Sequence, residues 1–409
     1  MKKLFIVFLS IAMFLPLYAQ EEGDQPEKTK LSFARRHFEM GFDIGVGFAN
    51  DFVGRDDIFT KHMVIDMNDI EESIGDNGVS FNTDLFADFY LTIMNIRIGR
   101  GRWDLDFSSG ADGDVTFNLP KNLITLIAKG NSNQTVFDGL ISARGGVYAV
   151  TGVGVAAEYG KLRVGVKHSL YTPMIFIPKS GINYCLDTSD GLSLTASGDI
   201  SIYSPFITSS KDNVNYNGMN FGFNFSADGR YALFPFLDVG GSLTNIPFVP
   251  AKMQNRMRLT MSGLDGWGFE GQDLVDGKGI DSIDFDFDET YDTSTVKVFR
   301  PFRFDTFAHY KPFNTKLLVL TPNMGFTVDI NDKEGFFNAG LEAQLNLIDM
   351  FILTFGTGRE EGLWRHRLGL TFNLRVFEID LEAALQSQGF RDSFQKKGYS
   401  FCIGLSSGW

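Results

Sequence analysis

The stretch HFEMGFDIGVGFAN, residues 37–50, alternates for a dozen positions. Phe38, Met40, Phe42, Ile44, Val46 and Phe48 fall on one face, and Glu39, Gly41, Asp43, Gly45 and Gly47 on the other. A period of two sustained over this length specifies a β-strand with one apolar face and one small or polar face. The same grammar returns at 161–170, 192–202, 219–227, 337–347 and 364–376. In the last of these Trp364, Leu368, Leu370 and Phe372 oppose Arg365, Arg367, Thr371 and Asn373. Composition fits such strands, with 41 Phe and 44 Gly supplying large side chains for one face and almost nothing for the other.

Two architectures use strands of this kind. A soluble sandwich turns the apolar face inward, whereas a membrane barrel turns it to lipid and lines its lumen with the polar face. Three features favour the barrel. The runs are mostly ~10–14 residues, long enough for a tilted transmembrane strand and longer than the ~5–6 usual in a sandwich. Tight turns near 311–315, 348–349 and 377–378 alternate with polar links at 264–293, 331–335, 358–362 and 389–396, as in outer-membrane barrels. Charged residues also stand in mid-strand on the polar faces, where a water-filled lumen tolerates them.

The fold expected is therefore all-β: a transmembrane antiparallel barrel of 14–16 strands spanning 37–409. The sixteen candidates are 37–49, 81–98, 102–109, 139–157, 161–170, 190–203, 218–228, 233–244, 253–263, 295–310, 316–330, 336–347, 350–357, 363–376, 379–388 and 397–409. Two stretches read as short helices, 119–130 and 66–78. The first, LPKNLITLIAKG, either plugs the lumen as part of a 110–138 insertion or decorates an outer loop. The acidic segment 265–292 reads as a solvated outer loop, its carboxylate spacing matching no EF-hand.

Residues 1–20, MKKLFIVFLSIAMFLPLYAQ, carry Lys2 and Lys3, a short apolar run and Ala19 near a cleavage point. This is the pattern of a secretory signal peptide, and 21–36 is then a periplasmic lead-in. The expected location is the outer membrane of a diderm bacterium. The net charge of −13 gives no basic footprint for nucleic acid. Cys185 and Cys402 are the two cysteines, and whether they pair is not decided by sequence. No GxSxG or HExxH motif occurs. His309 and Asp305 share a strand face but stand ~13 Å apart along it, while His168 and His366 fall on apolar faces. The expectation is a non-enzyme with no cofactor and no metal.

The residues expected to face the lumen include Arg163, Lys167, Arg365 and Arg367, the candidates for holding the carboxylate of an amphipathic ligand. Arg375 and the acids Glu39, Asp43, Glu342, Asp380 and Glu382 share that face, so pairing across strands is the competing role. Trp364, Tyr399, Phe401 and Trp409 are expected at the membrane interface and on the closing strand. The tail GYSFCIGLSSGW should pair with HFEMGFDIGVGFAN.

The segments LDVGGSLTNIPFVPAKM (237–253) and YTPMIFIPKSGINY (171–184) resemble stretches of FadL-type outer-membrane proteins and their relatives in spirochaetes and Bacteroidetes. The resemblance implies passive uptake of hydrophobic or amphipathic small molecules of the long-chain fatty acid type. The family's Asn-Pro-Ala hatch motif does not occur in this chain. An alternating, aromatic-ended last strand also resembles the signal read by barrel assembly machinery, although Trp409 stands in place of the commoner Phe. The partners implied are outer-membrane lipid, that machinery and a hydrophobic small-molecule ligand. A general diffusion porin, or a surface barrel whose outer loops bind host or matrix molecules, would suit the same strand plan.

Overall fold

The computed structural model describes residues 37–50, 78–129, 135–189, 193–207, 220–261, 287–313, 317–347, 350–374, 376–394 and 398–409. The signal peptide and lead-in, the 66–78 helix up to residue 77, most of the 265–292 loop and Arg375 lie outside them.

The described strands are β1 Phe38–Asn50, β2 Val79–Ile98, β3 Gly101–Leu119, β4 Val136–Tyr159, β5 Leu162–Asp187, β6 Ser193–Tyr203, β7 Gly222–Phe234, β8 Leu237–Val249, β9 Ala251–Met253 and β10 Arg256–Met261. They continue with β11 Phe287–Asp292, β12 Val296–Val298, β13 Phe302–Tyr310, β14 Leu318–Asp329, β15 Glu334–Asn346, β16 Phe351–Glu360, β17 Leu363–Asn373, β18 Phe377–Ser387 and β19 Gly398–Gly408. Two short helices accompany them, α1 Lys121–Lys129 and α2 Phe390–Phe394.

Fourteen of these strands close a ring of antiparallel neighbours, in the order β1, β2, β3, β4, β5, β7, β8, β13 to β19 and back to β1. Closure is made by the two ends of the chain. Glu39 stands opposite Gly408 and the register runs without a break to Ala49 opposite Gly398. The Trp409 carbonyl accepts from His37 N at 2.7 Å and Phe38 N at 3.1 Å, and its ring packs on Phe38 at 4.8 Å. A closed ring leaves no strand edge, which bilayer hydrocarbon would penalise.

The faces follow the alternation of the sequence. On β1, Met40, Ile44 and Val46 are exposed to the outside, while Glu39, Gly41, Gly45 and Gly47 are buried against neighbouring lumen side chains. His168 shares the outer face with Phe223 and Phe225. The protein is an outer-membrane β-barrel with lipid outside and a polar interior. Turns at the end that carries the termini are short: Gly99 and Gly160, with φ of 62° and 63°, sit in two-residue connections that send β2 into β3 and β4 into β5. At the opposite end the links expected at 331–335 and 358–362 are also short, four residues at 330–333 and two at 361–362.

Two strands expected in the ring are not part of it. β6 and β10, from the 190–203 and 253–263 candidates, pair with the upper half of β5 and with β11 in an extension beyond the ring. That is why the count is fourteen, not sixteen. Their alternation is real, but their apolar face is buried in a protein core. Phe137, Ile141, Ile182, Leu186, Ile200, Ile202 and Leu259 form it, joined by Leu123 and Leu126 of α1.

Helix α1 takes the outer-loop alternative and does not plug the lumen. Ile124 packs on Val79, Phe81 and Leu119, and Leu123 and Leu126 meet Val115 and Phe117. Those β3 residues share the parity of Leu105 and Phe107, which face lipid lower on the strand. The rest of 110–138 belongs to the wall strands β3 and β4 wherever it is described. Cys185 and Cys402 are both free thiols.

Candidate functional site: a braced constriction in the lumen

The interior is crossed by ion pairs between strands far apart in the ring. Arg144 on β4 pairs with Glu334 at the start of β15. Between β4 and β15 lie five strands one way round and seven the other, so the pair joins opposite sides of the ring. Lys179 of β5 brings its Nζ to 2.5 Å from Glu334 Oε1, and its backbone N–H donates to Asp332 Oδ1 at 2.8 Å. The Arg144 guanidinium also lies 5.2 Å from the Phe336 ring centre, within cation–π range. Burial pushes the Asp332 carboxyl above the ordinary carboxylate range.

A second set of charges flanks this brace. Arg300, just ahead of β13, reaches Asp112 of β3 at 2.5 Å. Arg365 on β17 meets Asp84 of β2 at 3.3 Å and Glu360 at 3.8 Å, and Gln386 donates to the same Asp84 at 3.1 Å. Arg367 pairs with Glu360 and lies 3.7 Å from Glu382. The cavity left among Asp84, Asp114, Arg144, Tyr148, Asp329, Asp332, Glu361 and Arg365 has a volume of about 70 Å³. Ligand pockets are typically ~300–1,000 Å³, so this cavity beside the brace is too small to be one.

An aromatic cluster lies beside the brace. Tyr148, Tyr171, Phe176 and Tyr203 bury one another with Ala251 and Met253 of β9 and Val298 of β12. The Tyr171 hydroxyl donates to Val298 O at 2.9 Å and accepts from Ala251 N at 3.3 Å, pinning the β9–β12 pair to the wall. This position matters because the wall ladder breaks here. β5 pairs with β7 only up to Tyr171 opposite Gly222, and above Phe176 it pairs with β6 instead. Nine residues separate Leu162 from Tyr171. At ~3.3 Å rise and ~40° tilt that is about 23 Å, the outer edge of a ~25 Å apolar band.

The structure divides the candidate basic residues between two levels. Arg365 and Arg367 belong to the charges that flank the brace, near the end of the barrel away from the termini. Arg163 and Lys167 sit near the terminal end, 3.7 Å from Asp104 and 4.0 Å from Asp106. All four have a carboxylate partner. Sequence reading missed Arg144, Lys179 and Glu334, whose neighbours in the chain gave no alternation to mark them: Gly145, at φ 137°, sits where the β4 register shifts. Trp364 packs edge-on against Phe390 of α2 at 4.9 Å on the outer surface, and Phe401 and Trp409 are exposed there. Tyr399 shares the face of Phe401 on the closing strand. His309 is buried, hydrogen-bonded through Nδ1 to Thr321 at 3.0 Å, while Asp305 is held by Arg303. Among the described residues no cluster of three or more His, Cys, Asp or Glu has metal-binding geometry.

A family model of unknown function, DUF5723, matches residues 37–333. The chain belongs to the DUF5723 family. No curated protein matches the DUF5723 chain in sequence. Among solved structures it is similar in fold to a mutant of TodX, a monoaromatic hydrocarbon channel. That match has a TM-score of 0.50 and 10% identity, and covers 92% of this chain and 91% of the other. A Pseudomonas aeruginosa FadL homologue aligns over 92% and 91% of the two chains, at 10% identity and a TM-score of 0.45. A mutant of the Rh. blastica porin aligns over 91% and 99%, at 7% identity and a TM-score of 0.29.

Proposed function

We propose that this DUF5723 protein is a gated outer-membrane conduit for small amphipathic molecules, reached after removal of its signal peptide. The observation that carries the reading is the combination at one level of the barrel. The lumen is bridged by ion pairs, and the wall beside the bridge is interrupted and lined with aromatic side chains. A general porin needs a standing aqueous path, and ion pairs across the lumen stand in its way. Lumen walls rich in Asp, Arg and small residues favour a ligand with a polar head over a pure hydrocarbon. The aromatic cluster gives its apolar part a surface at the outer interface. The barrel plan shared with a monoaromatic hydrocarbon channel fits the uptake of molecules with an apolar part.

Within this reading Arg144 holds the brace closed with Arg365 and Arg367 beside it, and exchange of a carboxylate partner for that of the ligand opens it. Proteoliposomes test the proposal directly. A fluorescent medium-chain carboxylate should enter them well above the rate of empty liposomes, while a neutral sugar should not. Entry of both at similar rates establishes a porin. Entry of neither refutes transport and leaves the α1, β6, β10 and β11 extension as a surface-binding module.

A further inference from the structure

We infer that the lumen mouth at the terminal end is an oxyanion site, built for a carboxylate or phosphate group by a row of arginines. In antiparallel ladders, directly opposed residues project to the same face. Arg97 of β2 opposes Arg102 of β3, Arg102 opposes Glu158 of β4, Glu158 opposes Arg163 of β5, and Arg163 opposes Arg230 of β7. Five consecutive ring strands thus carry four arginines and one glutamate along a single line, at ~4.8 Å strand spacing. The face is the lumen. Arg163 reaches Asp104, two residues along β3 from Arg102, while the intervening Trp103 packs against Tyr159 on the outer side.

Two of these four oppositions set guanidinium beside guanidinium. Like charges directly opposite destabilise a sheet, and Glu158 and the Arg163–Asp104 pair offset only part of this positive charge. Among the described residues, no side chain forms a hydrogen bond or ion pair with Arg97, Arg102 or Arg230, and Glu158 pairs with neither neighbour. Arg100 and Lys161, exposed in the adjoining turns, add two more cations at the rim. The nearest facing carboxylates, Asp104 and Asp228, stand two residues further in. Planar guanidinium forks at strand spacing suit an oxyanion with two or three oxygens. Because the row faces the lumen, its ligand arrives through the barrel or from the aqueous space at that end. The site stands whether or not the lumen conducts.

The test is calorimetric titration of the full mature barrel in neutral detergent, with inorganic phosphate and with a medium-chain carboxylate as probes and chloride as background. Variants Arg97→Gln and Arg230→Gln should each weaken binding about tenfold or more, as expected for loss of a charge-assisted hydrogen bond. Arg391→Gln, on α2 at the other end, should leave it unchanged. In anion-free buffer Arg230→Gln should raise the unfolding midpoint, because it relieves the opposition to Arg163 and faces only Gly240 on its other side. Equal affinity for both probes identifies a free-anion site, and tighter binding of the carboxylate chain identifies a head-group site. The inference is overturned if neither probe binds, if Arg97→Gln and Arg230→Gln bind like wild type, or if Arg230→Gln lowers the anion-free midpoint.

Discussion

Replacing Arg144 by Ala removes the longest brace in the lumen, and its consequences can be worked out from the contacts. Its side chain is 24% exposed and that of Glu334 is 26% exposed, so the pair is neither fully buried nor a solvent pair. Exposed pairs contribute about 0–1 kcal/mol and breaking a fully buried one costs about 3–5 kcal/mol. A cost of about 1–2 kcal/mol is the reasoned middle, lowered because Lys179 keeps Glu334 paired. That is too little to unfold a ring held by fourteen ladders, so the variant should fold and insert. Its lumen should not stay closed: the existing cavity of about 70 Å³ beside Arg144 would join the space the guanidinium occupied. In planar bilayers wild type should be nearly silent, and Arg144→Ala should show discrete open steps. Glu334→Ala should open further, since it strands both Arg144 and Lys179, and the double variant should be non-additive. Equal conductance of wild type and Arg144→Ala refutes the idea that this pair closes the lumen.

Three further outcomes follow from individual contacts. Deleting residues 407–409 removes the Trp409 hydrogen bonds to His37 and Phe38 and the stacking on Phe38; the truncated protein should fall well below wild type in outer-membrane fractions. Tyr171→Phe strands a buried carbonyl and N–H of the β9–β12 pair, at a cost of about 1–3 kcal/mol, seen as a lower midpoint in heat-modifiability gels. Gly222→Ala puts a Cβ into the space of the fully buried Tyr171 ring, so overpacking should cost about 1–3 kcal/mol by the same assay.

Much of the barrel was legible because its code is local. Alternation on β1, β7, β15 and β17 told both where the strands lie and which face meets lipid, and the tail's pairing with β1 was readable from the matched greasy faces. β6 and β10 misled because a strand lining a small protein core alternates as a lipid-facing strand does. β3 looked short because Ser108–Asp114 carries no large outward side chain, yet it runs to Leu119. Arg365 and Arg367 could be placed in the lumen from parity alone. Their partners could not, since Asp84 lies some 280 residues away and meets Arg365 only once the ring has closed. The Arg144–Glu334 brace is set by ring closure and by the β4 bulge, which no local pattern encodes.

The central claim is that amphipathic molecules pass through the lumen at the brace. In a background with Cys185→Ser and Cys402→Ser, cysteines at 144 and 334 joined by a short, cleavable thiol cross-linker restore the bridge covalently. Carboxylate flux into proteoliposomes should be high before cross-linking, fall to the level of empty liposomes after it, and recover on cleavage. Flux that is unchanged by the cross-link would place the path elsewhere and contradict the account.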